Sequence, residues 1–80
     1  MERRRFEVSV VHEGDQFDYV VECEVNGSGM TWFATVFRGD EIRGHPNGVL
    51  DGVEIGHPDL RRLLNDMVAK SIRDRVGVRV

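Results

Sequence analysis

Leu60, Leu63, Leu64, Met67, Val68, Ile72 and Val76 recur three and four residues apart near the end of the chain. That spacing puts their side chains on one face of a helix. Pro58 suits a first helical position, where a missing N–H costs nothing. Asp59 complements the positive end of the helix dipole, and Arg73 and Arg75 complement the negative end. Gly77 stands where a left-handed stop would fall. The pattern predicts a helix over 58–76, with Val78 onward as a fraying tail or a short return strand.

Upstream, the period changes from about 3.6 to two. Phe6, Val8 and Val10 alternate with Glu7, Ser9 and Val11. Phe17, Tyr19, Val21, Cys23 and Val25 alternate with Asp18, Val20, Glu22 and Glu24. These are strands over 6–12 and 17–25, joined through Glu13-Gly14 and therefore antiparallel. Asn26-Gly27 marks a second hairpin turn. A third strand follows over 30–38. Its phase is open, because Met30, Trp32, Ala34 and Val36 form one face and Thr31, Phe33, Thr35 and Phe37 the other. Residues 39–57 are glycine-rich, with Gly-His-Pro at Gly44–Pro46 and again at Gly56–Pro58. They predict a loop with room for a short fourth strand over 49–55, or for two very short strands, Val49-Leu50 and Val53–Ile55, around Asp51-Gly52.

Strand, strand, strand, helix gives an α+β fold in two layers: a three- or four-stranded antiparallel meander packed against one C-terminal helix. The chain has 80 residues, which makes one domain over 1–80 with a small core. Apolar residues at 40% and charged residues at 31% exclude a disordered chain. No apolar run approaches the roughly 18 residues that cross a bilayer, and no signal-peptide pattern follows Arg3-Arg4-Arg5, so a cytoplasmic setting is expected.

Charge is unevenly placed. Residues 12–58 carry nine acids against two arginines, and residues 59–80 carry six bases against three acids. Two layers of opposite sign attract each other. This is not the continuous basic stripe of a nucleic-acid binder, although Arg3, Arg4, Arg5, Arg61, Arg62 and Arg73 could together face phosphate.

Few residues suggest chemistry. Cys23 is in phase with Tyr19 and Val21, which makes it a small buried hydrophobe rather than a reactive thiol. His12, His45 and His57 lack the spacing of a metal site. Gly39 to Gly44 has the outer spacing of a phosphate loop, but His45-Pro46 replaces the Lys-Ser/Thr that the loop requires. Asp40-Glu41 beside His45 offers a general-base arrangement on a loop, and acidic turn residues in solvent are commoner. No cofactor is expected, and the reading leans away from an enzyme.

One helix covers one face of a sheet, yet apolar residues occupy both faces. Whichever register the third strand adopts, a large aromatic is left outside, among Val11, Val20, Trp32, Phe33 and Phe37. These five are the candidate interface. The expected function is a protein-interaction or oligomerisation module, with a homodimer as the expected state because the core is small. Two alternatives remain open: a nucleic-acid accessory protein using Arg3–Arg5 and the helix arginines, or a small-ligand protein or enzyme whose site is the Gly39–Gly56 loop with His45 and His57.

Overall fold

The computed structural model describes residues 3–26 and 29–79. The second hairpin turn, at Gly27 and Ser28, lies outside the described residues, as does Val80. The element order is β1 (Arg3–His12), β2 (Asp15–Asn26), β3 (Gly29–Arg38), β4 (Glu41–Gly44), β5 (Asn47–Asp51) and α1 (Leu60–Asp74). All pairings are antiparallel. β1 pairs β2, β2 pairs β3, and β4 and β5 both pair β3. This is the α+β fold of an antiparallel meander under one C-terminal helix.

The glycine-rich stretch is more ordered than its composition implies. β4 pairs the end of β3 at Val36–Arg38, and β5 pairs its start at Gly29–Phe33. From Gly44 to Asp51 the register against β3 is unbroken, with Val36 opposite Gly44 and Gly29 opposite Asp51. The two pieces are one fourth strand. Its break has a local cause: Pro46 has no N–H to give the ladder. Its carbonyl still accepts from the Ala34 N–H at 2.9 Å, which carries the pairing across the gap. A bulge shifts the register between Val36 and Phe37.

The helix is shorter at both ends than its apolar period suggests. At the start, the Leu60 N–H bonds the His57 carbonyl in a tight turn, and the first α-helical bond runs from the Leu63 N–H to the Asp59 carbonyl. The ring of His57 also takes the Asp59 N–H, at 3.0 Å. Asp59 is therefore the N-cap position and Pro58 stands outside. At the other end the left-handed residue that stops the helix is Arg75, at φ 57°; Gly77, two residues further on, is left-handed as well, at φ 72°. The Val76 N–H reaches back to the Ser71 carbonyl and the Arg75 N–H to Ile72, the two bonds of a Schellman stop.

After the helix the chain returns to the sheet. Val78 bridges Gly44, the His45 N–H donates to the Gly77 carbonyl at 3.1 Å, and the Arg79 N–H donates to the Arg43 carbonyl at 2.7 Å. The approach is so close that a Cβ on Gly44 would lie 2.0 Å from the Gly77 oxygen. Only glycine fits there.

The core lies between the helix and one face of the sheet. Phe17, Tyr19, Val21 and Cys23 of β2 and Met30, Trp32, Ala34 and Val36 of β3 meet Leu60, Leu64, Val68 and Ile72 of α1. Phe6, Val8 and Val10 of β1 pack against them, half-buried. The Tyr19 hydroxyl donates to the Asn65 side-chain oxygen on the helix, which satisfies its polar tip at the core margin. Burial pushes the Tyr19 pKa up to about 12.

Candidate interaction surface

Pairing turns the alternation of each strand into rows across the uncovered face. In sequence order of β1, the rows are Arg3–Glu24–Thr31–Val49, Arg5–Glu22–Phe33–Asn47, Glu7–Val20–Thr35, and Ser9–Asp18–Phe37–Ile42. This face therefore divides along its width. The β1–β2 half is charged, and the half over β3, β4 and β5 is apolar, with threonines between the aromatics.

In the charged half the groups are mutually engaged. Arg3 lies 3.1 Å from Glu24 and 3.8 Å from Glu22. Arg5 lies 3.3 Å from Glu7 and 3.9 Å from Glu22. The Ser9 hydroxyl donates to Asp18 at 2.6 Å and the Gln16 amide at 3.2 Å, and these bonds lower the Asp18 pKa. Such exposed pairs contribute little stability, but they fix side-chain positions.

In the apolar half Phe33 is 38% exposed, Ile42 46% and Val49 61%. Val20 and Phe37 are half-buried beside them. Among the described residues no element packs over this half. Of the five candidate interface residues, Val20, Phe33 and Phe37 come together here. Val11 is exposed on the same face but opposite Gln16, away from the aromatics. Trp32 belongs elsewhere. At 2% exposure it faces the helix, because β3 presents its even-numbered residues inward. Ile42 and Val49 were hidden in the glycine-rich stretch. Their signal was that Val49-Leu50 continues the in–out alternation opposite β3.

The two loop histidines are separated by role. His45 is exposed at the β4–β5 joint, its Nδ1 3.4 Å from the Thr35 hydroxyl. His57 serves the helix start through Asp59. Among the described residues, no three His, Cys, Asp or Glu side chains stand close enough to hold a metal ion. Cys23 is buried, and burial raises its pKa, with a smaller opposing contribution from the Arg4 backbone and charge.

The arginines do not share a surface. Arg3 and Arg5 lie among the outer-face glutamates. Arg4 points to the inner side, its guanidinium 4.8 Å from the Phe6 ring centre and bonded to the Ile55 carbonyl at 3.2 Å. Arg62 pairs Asp59, and Arg73 pairs Asp74. Asp66 and Lys70, four residues apart on the helix, form no ion pair.

No helix among the described residues is long and apolar enough to cross a membrane. No family model matches this chain. No curated protein and no solved structure is detectably similar to it. The fold and its surfaces therefore carry the functional argument alone.

Proposed function

We propose that this domain is a protein-interaction module that forms a homodimer through the apolar half of its outer sheet face. The observation that carries this reading is the contiguous set Val20, Phe33, Phe37, Ile42 and Val49 on a face that no element covers among the described residues. Water against such a patch is displaced favourably at about 25 cal/mol per Å2 of apolar area. A second copy offers the same patch and needs no other partner chemistry.

Charge supports one arrangement over others. The β1–β2 half of this face holds Arg3 and Arg5 against Glu7, Asp18, Glu22 and Glu24, a net negative surface. Two such halves stacked on each other repel. A two-fold axis through the apolar half overlaps the aromatics and leaves the charged halves splayed to solvent. Association in this geometry strengthens with salt, which screens the remaining repulsion.

Sedimentation over a wide concentration range tests it. The expected result is a reversible dimer that Phe33→Asp abolishes while the fold is retained. A monomer at the highest concentration, in both low and high salt, overturns the proposal.

A further inference from the structure

The fourth strand is covered on its outward edge along only part of its length. Residues Gly77–Arg79 pair with Arg43–His45 and close the β4 portion. The β5 portion, Asn47–Asp51, pairs β3 on one side and has no backbone partner on the other among the described residues. An open strand edge is a template for another extended chain.

Beside that open edge, on the inner side, lies a groove of about 330 Å3 between β5 and the C-terminal half of α1. Trp32 and Gly48 form its sheet wall, Met67, Lys70 and Asp74 its helix wall, and Val76, just past the helix, lines it as well. Gly48 is what keeps the sheet wall open. A Cβ there would lie 2.8 Å from Trp32 Nε1, so the indole occupies the space a side chain would take. Val76, at 64% exposure, forms an apolar rim. The Trp32 Nε1–H has no acceptor among the described residues, and Lys70 is paired with no acid. A buried donor without an acceptor costs free energy.

We infer that the edge of β5 takes an extended peptide, which adds a strand to the sheet and lowers an apolar side chain into the groove between Trp32, Met67 and Val76. Main-chain hydrogen bonds supply affinity in this mode, and the groove selects alternate side chains. Opposite Gly48 an inward side chain of the added strand meets the Trp32 indole instead of a Cβ, an apolar contact that suits a branched aliphatic residue. Lys70 on the helix wall favours a carboxylate at the same end of the peptide.

The opposite edge of the sheet, β1, is a poorer template. Arg3, Arg4, Arg5 and Glu7 stand along it, and charged residues discourage pairing. The groove beside it is lined by Val8, Pro58, Asp59, Arg61, Arg62 and Asn65, and holds no aromatic. The β5 edge is the one that joins a ladder with few charges along it to a groove walled by an aromatic, Trp32.

Trp32 is the only tryptophan in the chain, so its emission reports this groove alone. The probe is an end-blocked pentapeptide, Thr-Leu-Thr-Leu-Thr, the length of β5. Titration should shift Trp32 emission and protect β5 amides from hydrogen exchange. The same peptide with proline at its centre, which cannot complete the ladder, should do neither. Val76→Asp should weaken binding about tenfold or more, as removal of an apolar rim contact does. Phe33→Asp, on the opposite face, should leave peptide binding intact even though it abolishes the proposed dimer. No emission shift at millimolar peptide, an equal response to the proline peptide, or indifference to Val76→Asp overturns the inference without touching the dimer.

Discussion

β3 carries two faces of nearly equal apolar character, and they have different fates. Inward, Met30, Trp32, Ala34 and Val36 are covered by α1. Outward, Phe33 and Phe37 flank Thr35 with no element over them among the described residues, and Phe33 is 38% exposed. One helix can cover one face only. An aromatic strand that is apolar on both sides therefore gives one structural face and one uncovered face, the one proposed to associate. Phe33 sits one residue from Trp32, so adjacent aromatics can serve stability and association separately.

The largest test of that division is a pair of truncations. Leu64 is fully buried against the inner face. Leu64→Ala should cost about 3 kcal/mol in urea unfolding. Phe33→Ser should cost about 0.5 kcal/mol or less, measured at a concentration low enough to keep the protein monomeric. Comparable losses from the two would break the distinction between the faces.

Gly44→Ala comes next. Its Cβ would meet the Gly77 carbonyl at 2.0 Å, so the returning tail Gly77–Arg79 must move away. The expected cost is about 1–3 kcal/mol, as for other overpacked contacts. Hydrogen exchange should quicken at His45 and Arg79 while the amides of β2 keep their protection. Uniform loss of protection would mean that the returning tail is part of the core rather than a cover on its edge.

A smaller effect tests the margin of the inner face. The Tyr19 phenol titrates at about 12, above its ordinary 10.0, chiefly because burial opposes the phenolate, with Asp66 adding and Arg61 opposing. In this window the folded state holds a proton that the unfolded state releases. Stability is therefore full below pH 10 and falls as pH rises from 10 toward 12. Tyr19 is the sole tyrosine, so its absorbance near 295 nm gives the folded pKa directly. A midpoint near 10 would place the phenol in water and move Tyr19 out of the core.

The smallest expected change is a gain. Arg75 holds a left-handed conformation, φ 57°, at the helix stop. Arg75→Gly removes a strain of about 1 kcal/mol, partly offset by the greater freedom of glycine in the unfolded chain. The unfolding midpoint should rise slightly. A fall would show that the arginine side chain contributes more at the surface than its backbone costs.

Much of this molecule was legible from local pattern. The alternation in residues 6–12 and 17–25 and the helical period after residue 58 reflect burial on one face, and burial acts residue by residue. The cytoplasmic setting and the dimer are expectations of a different kind, because they depend on what lies around the protein. The glycine-rich stretch was illegible for a physical reason. Its strand is interrupted by Pro46 and bulged at Arg43, so neither half is long enough to show a period. The short helix start was hidden because the His57 ring, and not a preferred cap such as serine, holds the Asp59 N–H.

The candidate site divides in the same way. Val20, Phe33 and Phe37 could be singled out because they belong to strands with a readable period. Ile42 and Val49 joined them only through long-range pairing with β3. Trp32 shows the limit most clearly. Its neighbours permitted either face, and the fold chose the inner one because the indole fits over Gly48, a residue 16 positions away in the chain.

By itself the sequence determined the layers: period two upstream, period near four downstream, and more apolar surface than one helix can cover. Only the tertiary structure decided which aromatic is structural and which is exposed. It also decided that one edge is sealed by the returning tail while the neighbouring edge stays open beside a groove. Those choices depend on packing and strand register between residues far apart in the chain, and local pattern cannot encode a contact whose partner lies elsewhere.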